Sequence, residues 1–279
     1  MQQQLQGVRR FSALQSALGI GPTVLSARLS ALVDGGVLAR TPPSEPAGYR
    51  LTEAGKELWS LLLCIWAWEQ RWVQGEALPT MRHRPCAQVF RPVLSCRGCG
   101  DPASVDDITL EWGPAGDMAR AVPVGRNRRR TSSSRSDVAG LFPETMALIG
   151  SRWSSATLGA ALLGARRFSE FESYLGAPPN IVSERLRTFV GLGVLDSSAG
   201  CYALTEKGRD FFPAVAQLVR WGERWHPAPE GPTLLATHAA CGAAFGPTLR
   251  CDRCSDVLAR ESVVVEAAEI APAQHRKTS

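Results

Sequence analysis

Two sets of four potential metal ligands, at one identical spacing, constrain this chain more than any other feature. The first set reads His-x2-Cys-x9-Cys-x2-Cys, and the second repeats it 155 positions later. One such set could arise by chance, but two sets in register indicate an internal duplication in which the four positions act together. The residues are His83, Cys86, Cys96 and Cys99, and His238, Cys241, Cys251 and Cys254.

The duplication extends far upstream of these ligands. Arg-Arg-Phe-Ser at residues 9–12 returns at 166–169, and the segment 25–29 returns at 182–186, both offset by 157 positions. Tyr-x-Leu-Thr-x-x-Gly at 49–55 returns at 202–208, offset by 153, so the preceding loop is shorter in the second copy. Solenoid repeats run roughly 20–50 residues, so this longer repeat predicts two tandem domains.

Length and composition agree with a soluble protein of two domains. The chain has 279 residues, of which 44% are hydrophobic and 20% charged. No apolar stretch approaches the roughly 18 residues that span a bilayer, and the polar start predicts no secretory signal. We therefore expect a cytoplasmic protein without a membrane partner, whose cysteines are metal ligands or redox switches rather than disulfides. The net charge of +5 permits a nucleic-acid partner.

Hydrophobic periodicity and turn residues predict the same order of elements in both copies. The first copy has helices at 10–18 and 22–33, strands at 37–40 and 49–52, and a helix from 52 to about 74. The second has helices at 168–175 and 179–190, strands at 193–196 and 201–205, and a helix at 206–225. Helix, turn, helix, β-hairpin, helix is the winged helix-turn-helix order.

The predicted fold class is α+β, mainly α, with two tandem winged helix-turn-helix domains, each followed by a small Cys/His ribbon-like β module. The arginine- and serine-rich segment 126–136 predicts a flexible tether, which would also suit phosphate contacts. The expected boundaries are domain 1 at 1–75, module 1 at 80–113, a linker at 114–140, domain 2 at 141–227, module 2 at 235–267 and a disordered tail at 268–279.

These motifs and the paired tryptophans of each copy resemble the HxlR family of bacterial transcription regulators. The match covers roughly residues 9–74 and 144–226, and the His/Cys modules lie outside it. The resemblance implies winged-helix DNA binding by a dimer. This chain departs from the family by carrying two domains in one polypeptide, from which we expect an internal pseudo-dimer or a homodimer.

The first domain also lacks a counterpart to the first helix of the second, which is predicted from Glu144 to about Leu163. Mapped back by 157 positions, that helix would begin before Met1. We therefore expect either that Met1 is not the full biological start or that domain 1 is structurally incomplete.

The second helix of each copy is the expected reader of the major groove. Its outward face carries Thr23, Ser26 and Ser30 in the first copy, and Asn180, Ser183 and Arg187 in the second. Asparagine suits adenine and arginine suits guanine, so the second domain is the better candidate for base discrimination. The alternative is that both helices have ordinary solvated outer faces.

Cations on the wings predict phosphate contacts, chiefly from domain 1. Arg40 and Arg50 flank the long first wing, whereas the second wing, residues 196–200, is short and carries no cation. Arg28 and Arg185 lie at the helix flanks, where they would either reach phosphate or lie over the core beside a carboxylate. Arg10 and Arg167, in the repeated Arg-Arg-Phe-Ser motif, complete the predicted DNA-binding residues.

Two bound zinc ions, one per module, are the main expectation for the His/Cys sets, because three thiolates and one imidazole form a closed structural site. Redox-reactive cysteines and cysteines without a special role remain open alternatives. Cys64 and Cys201 are expected in the core. The tryptophans of the last helices, Trp59, Trp66, Trp68, Trp72, Trp221 and Trp225, are expected to pack in the core or an interface.

The sequence thus predicts a DNA-binding transcription regulator whose partner is double-stranded DNA. It contains no P-loop, no dinucleotide fingerprint and no nucleophile elbow, so we do not expect an enzyme. A non-catalytic protein-interaction adaptor and a thiol redox sensor, both built on winged-helix domains, are the alternatives.

Overall fold

The computed structural model of the protein describes residues 7–73, 78–116 and 142–266. Two winged-helix units follow one another in these ranges. The first consists of α1 (Phe11–Leu18), α2 (Pro22–Asp34), β1 (Leu38–Arg40), β2 (Tyr49–Leu51), α3 (Glu53–Glu57) and α4 (Trp59–Trp72). The second consists of α5 (Pro143–Ile149), α6 (Arg152–Leu162), α7 (Phe168–Leu175), α8 (Pro179–Gly191), β7 (Leu195–Ser198), β8 (Cys201–Leu204), α9 (Glu206–Arg209) and α10 (Phe212–Trp225).

Short strands and one 3-10 turn follow each winged-helix unit. After the first unit come β3 (Thr80–His83), β4 (Gln88–Val89), β5 (Pro92–Cys96) and β6 (Ile108–Trp112). After the second come β9 (Leu234–His238), β10 (Pro247–Cys251) and β11 (Val263–Glu266). The chain is therefore a mixed α and β protein with two helix-turn-helix segments.

The repeated Leu-Thr-x-x-Gly motif fixes the start of the helix that follows each wing. Thr52 Oγ1 caps α3 by accepting a hydrogen bond from the Gly55 backbone N–H at 3.0 Å. A side chain at Gly55 would collide with the Val37 carbonyl oxygen, so only glycine permits this approach to the wing. Thr205 and Gly208 repeat the arrangement at α9, with a cap of 3.1 Å.

Two of the expected long helices are interrupted. The helix predicted from 52 to 74 divides at Leu58 into α3 and α4, and its counterpart at 206–225 divides between Arg209 and Phe212. The helix predicted at 144–163 ends at Ile149 and begins again at Arg152, because Ser151 caps the new helix by accepting from the Ser154 N–H at 3.1 Å. Caps of this kind start new helices inside apolar periodic segments, which periodicity alone does not reveal.

Helices α4 and α10 pack against each other and join the two units through matched contacts. The Trp68 indole N–H donates to the Lys207 carbonyl at 2.9 Å, and the Trp221 indole N–H donates to the Ala54 carbonyl at 2.7 Å. Donors and acceptors are each related by 153 positions, the offset of the sequence repeat. The predicted role of the tryptophans in packing one domain against the other is consistent with these contacts.

A second matched pair surrounds the first. The Trp72 indole donates to Asp210 and the Trp225 indole donates to Glu57, at 2.9 and 2.5 Å. Arg71 and Arg224 add ion pairs to the same two carboxylates, at 2.5 and 2.7 Å. Sequence reasoning missed Glu57 and Asp210, although their separation of 153 positions marks them as counterparts.

Within the described residues, the first unit has no helix corresponding to α6. In the second unit α6 packs against α7 and α8, and Leu175 at the end of α7 is 1% exposed. Its counterpart Leu18 is 45% exposed, and among the described residues no such helix packs on α1. The first unit consequently has a small core of its own, centred on Leu14, Leu25, Leu29 and Leu38.

Some expectations fall outside the described residues. They concern the chain before residue 7, nearly all of the linker at 114–140, and the tail at 268–279. Among the helices that the structure describes, no single one is long and apolar enough to cross a membrane. Helices α1 and α2 meet that criterion only as a pair, bent by 114°.

Removing the Trp68 side chain tests the contact between the units. Trp68 is 3% exposed and packs edge-to-face on Phe211 at 5.0 Å, so we expect Trp68→Ala to lower the free energy of unfolding by about 3–5 kcal/mol. Trp68→Phe keeps most of the bulk and removes only the bond to Lys207, so it should cost less than the alanine variant. Chemical denaturation measures both, and equal small losses would contradict the assignment.

Candidate metal centres and nucleic-acid interface

The eight repeated ligands form two clusters, and each cluster combines residues of both modules. His83 and Cys86 of the first module lie with Cys251 and Cys254 of the second, and we name this group the first cluster. The second cluster consists of Cys96, Cys99, His238 and Cys241. In each, a His-x2-Cys corner from one module faces a Cys-x2-Cys knuckle from the other.

Strand pairing explains why the modules exchange ligands. Strands β5 and β10 pair antiparallel, with Cys96 opposite Pro247 and Cys251 opposite Pro92. The two knuckles therefore leave this ladder at opposite ends. The flanking pairs are also exchanged, because β3 pairs with β11 and β6 pairs with β9.

The expectation that each module closes its own site is wrong in this respect. Short strands surround the ligands, but among the described residues β4 pairs with β3 and does not bring the knuckle of its own module to His83. The spacing of nine residues between corner and knuckle is the same in both modules, so it could not distinguish closure within a module from closure between modules.

The ligand atoms are close enough for one tetrahedral ion in each cluster. In the first cluster His83 Nδ1 lies 3.4 Å from Cys86 Sγ and 3.3 Å from Cys254 Sγ, and the sulfurs of Cys86 and Cys251 are 3.9 Å apart. In the second cluster His238 Nδ1 lies 3.4 Å from Cys99 Sγ and 3.3 Å from Cys241 Sγ. Zinc–sulfur bonds of about 2.3 Å in a tetrahedron separate sulfurs by about 3.8 Å, so three thiolates and one imidazole fit zinc here.

Two thiols in each cluster have pKa values that are shifted in opposite directions. Burial raises the pKa of Cys86, but hydrogen bonds from the Gln88 backbone and from the thiols of Cys254 and Cys251 outweigh it and lower that pKa below its ordinary value. The Asp256 backbone lowers the pKa of Cys254, but burial and the neighbouring thiols raise it to about 11. Since adjacent thiolates repel each other, binding a divalent cation must release protons. Cys96 and Cys99 divide in the same way in the second cluster, where the pKa of Cys99 is raised to about 11.

Because the modules exchange ligands, the two non-glycine residues with positive φ next to the ligand motifs lie beside the same cluster. The residue after each corner and each knuckle has positive φ, which suits glycine. Gly100 and Gly242 occupy these positions in the second cluster, with φ of 86° and 67°. In the first cluster the same positions are Ala87 and Ser255, with φ of 56° and 63°. Both strained residues thus belong to one cluster, whereas their positions in the sequence assign one to each module.

The predicted DNA-contacting residues lie on the helices and wings expected of them. Thr23, Ser26, Arg28 and Ser30 are exposed on α2, and Asn180 and Arg187 are exposed on α8, where Ser183 is partly buried. Arg10, Arg40, Arg50 and Arg167 are also exposed. The second wing turns tightly through Ala199 and Gly200, both at positive φ, so it is short as expected.

Arg185 and Arg28 differ because of the helix that only the second unit has. Arg185 donates to Ser154 on α6 at 3.3 Å and to the neighbouring Glu184 at 2.7 Å, so it lies over the domain beside a carboxylate. Arg28 is an exposed side chain on α2, and no helix corresponding to α6 lies beside it in the described structure. Arg185 thus matches the interpretation that it lies over the core beside a carboxylate, whereas a phosphate contact of Arg28 stays a prediction.

The two remaining cysteines also differ. Cys64 is buried on α4, as expected. Cys201 is exposed, so its prediction as a core residue is wrong. It begins β8 of the wing, where apolar neighbours in sequence do not imply burial.

Comparisons with known proteins decide the family. A model of the HxlR-like helix-turn-helix family matches residues 1–77 and 148–230, which together are more than half of the chain. The chain belongs to this family. The matched segments are the two winged-helix units, and the strands that carry the clusters lie largely outside them.

Relatives agree with this assignment. The HTH-type transcriptional regulator MT3179 of Mycobacterium tuberculosis (strain CDC 1551 / Oshkosh) is 37% identical over 126 residues, which cover 43% of this chain and 80% of that protein. YvaP, an HTH-type transcriptional regulator of Bacillus subtilis (strain 168), is 27% identical over 103 residues, covering 33% and 93%. The solved structure of PA1607 is 29% identical, covers 47% of this chain and 96% of its own, and superposes with a TM-score of 0.39. On the family match and the regulators of 37% and 27% identity, the protein is an HTH-type transcription regulator.

Unequal backbone strain predicts unequal metal affinity. A non-glycine residue in the left-handed region costs about 1–2 kcal/mol, so we expect Ala87→Gly and Ser255→Gly each to strengthen binding at the first cluster by roughly fivefold or more. The converse changes, Gly100→Ala and Gly242→Ala, should weaken the second cluster by a similar factor. Competition with a chromogenic chelator measures both affinities in each variant. If Ala87→Gly and Ser255→Gly acted on different sites, the assignment of both residues to one cluster would fail.

Proposed function

We propose that this regulator binds operator DNA as an internal pseudo-dimer, with one recognition helix from each unit. The observation that carries the proposal is the matched set of contacts between α4 and α10, in which Trp68 and Trp72 have their counterparts 153 positions later in Trp221 and Trp225. Such reciprocity is what a two-fold dimer interface requires, since residue i contacts j and j contacts i. The half-sites would then lie about one helical turn, roughly 34 Å, apart.

The two units would contribute differently to DNA binding. Asn180 and Arg187 are exposed base-reading candidates on α8, whereas the outward residues of α2 are small hydroxyl side chains. Arg40 and Arg50 supply cations on the longer first wing. We therefore assign base discrimination mainly to α8 and phosphate anchoring mainly to the first wing, which implies two half-sites of different sequence.

The two clusters are proposed as structural zinc sites. Each has four ligands, which leaves no open position for a substrate, and the strands around them are too short to bury a large core. When bound, zinc would supply folding free energy, about 10–16 kcal/mol in zinc-finger peptides. Because each cluster takes ligands from both modules, metal binding would also hold the two halves of the chain together.

A thiol redox sensor is the second candidate, since Cys99 and Cys241 are exposed in the second cluster. A non-catalytic protein-interaction adaptor is the third, because the α2 face is chemically undistinctive. Mobility shifts with the DNA upstream of the gene, with reduced and oxidised protein, separate the three. A shift that weakens steeply with salt supports the regulator, loss of that shift on mild oxidation supports the sensor, and no shift in either state supports the adaptor.

Two arginine substitutions test the division of labour on DNA. We expect Arg187→Ala to relax specificity at one base position, because a bidentate contact is worth about 1–3 kcal/mol of discrimination. Arg50→Ala should weaken binding to all sequences alike and lower the salt slope by about one unit. Selection from a randomised DNA library, with affinities measured at several salt concentrations, reads out both.

Three results would count against this picture. They are an unchanged preferred sequence for Arg187→Ala, an altered one for Arg50→Ala, and a protected site that is a perfect palindrome bound by two chains. Arg91→Ala is the matched control, because Arg91 is an exposed arginine outside the recognition helices, the wings and the ligand motifs, and it should leave sequence preference unchanged.

A further inference from the structure

A cavity of about 560 Å³ lies between the second winged-helix unit and the exchanged strands. One wall is the apolar face of α10 with the end of α6, and the opposite wall comes from β6 and β9, which belong to different modules. The lining is mainly apolar, as in small-molecule sites, which commonly occupy about 300–1,000 Å³. Its apolar lining includes Phe212, Val215, Val219 and Leu234, and its polar part includes Arg97 and Arg220.

The first copy has a smaller cavity at the matched place, and two tryptophans line it. At 153 positions before Phe212 and Val219 stand Trp59 and Trp66, and both line a smaller cavity of about 200 Å³ beside the first unit. The Trp66 indole donates to the Pro79 carbonyl at 2.7 Å, so it is fixed across that space. The second copy has smaller side chains at both positions, and its cavity is correspondingly larger.

Arg220 places a positive charge at the larger cavity. Among the described residues, no carboxylate lies at ion-pair distance from its guanidinium group. It is half-buried, and burial together with the neighbouring charge of Arg97 lowers its pKa. The nearest attraction comes from Glu57, but that carboxylate already binds Arg224 and the Trp225 indole. Two guanidinium groups that repel each other beside an apolar cavity favour an anion.

The two glutamates that line the cavity form no ion pair with these arginines in the described structure. Glu223 accepts hydrogen bonds from the backbone N–H groups of Thr233 and Leu234, at 3.1 and 3.3 Å, and so holds the segment that leads into β9. Glu111 is an exposed side chain on β6. Neither forms an ion pair with Arg97 or Arg220 in the described structure.

We propose that this cavity binds a small amphipathic carboxylate, with its apolar body against α10 and β9 and its carboxylate on Arg220 and Arg97. Apolar area lost from water supplies the affinity, and the guanidinium pair selects the anion over a neutral compound of the same length. None of the predicted DNA-contacting residues lines this cavity, so the proposal does not rest on the proposed DNA binding. It draws on both halves of the chain, because β6 and β9 come from different modules.

Titration calorimetry of the full chain with octanoate and with octan-1-ol tests the proposal. We expect octanoate to bind about tenfold or more tightly than the alcohol, since hydrogen bonds to charged groups are the stronger ones. Arg220→Met should remove this preference while keeping binding of the alcohol. Val219→Trp, which installs the residue found at the matched position of the first copy, should abolish binding of both compounds.

Arg260→Met is the matched control, because Arg260 lines the smaller cavity and carries the same charge. It should leave the preference for octanoate intact. Equal binding of the two compounds by the unsubstituted protein, or no binding of octanoate at millimolar concentration, would overturn the proposal. Loss of preference in Arg260→Met instead of Arg220→Met would place the anion in the other cavity and would also overturn it. Far-ultraviolet circular dichroism of each variant confirms that the helices are retained.

Discussion

The antiparallel pairing of β5 with β10 is the interaction on which the rest of the structure depends. These strands belong to different modules, and their pairing sends the two Cys-x2-Cys knuckles to opposite ends of one ladder. Each knuckle then meets the His-x2-Cys corner of the other module, so neither quartet of ligands can assemble from one half of the chain. A metal ion bound at either cluster would consequently couple its affinity to the association of the two halves.

The contacts between the two units repeat in both copies, whereas the surfaces outside that interface differ. Two tryptophans of α4, Trp68 and Trp72, and the groups that accept their hydrogen bonds have counterparts 153 positions away, so the interface is nearly self-complementary. The surfaces outside this interface differ, because the first unit lacks a described counterpart of α6 and has the longer wing. The duplication has therefore kept the packing residues similar, while the recognition faces, the cavities and the strain at the clusters have diverged.

Local signals allowed most of the winged-helix architecture to be predicted from the sequence. Hydrophobic periodicity and turn residues predicted α1, α2, α7 and α8 to within one residue at each end. The identity of the eight ligands followed from their repeated spacing.

Tertiary pairing could not be predicted in this way. Corner and knuckle are separated by the same nine residues in both modules, so only the register of β5 on β10 decides which four ligands meet. The breaks at Leu58 and Gly150, and the exposure of Cys201, likewise depend on capping and on strand position rather than on hydrophobic pattern. Pairs such as Glu57 and Asp210 were present in the repeat, but only the packing of α4 on α10 shows what they bind.

Zinc content of two double-cysteine variants tests the central claim of exchanged clusters most directly. Cys99→Ser with Cys241→Ser removes two ligands from one cluster, so protein purified without a metal-binding tag should keep about one zinc ion per chain. Cys86→Ser with Cys99→Ser, two changes within one module, should damage both clusters and leave well below one. The reverse result, with about one zinc kept by the second variant and little by the first, would show that each module closes its own site and would contradict the account.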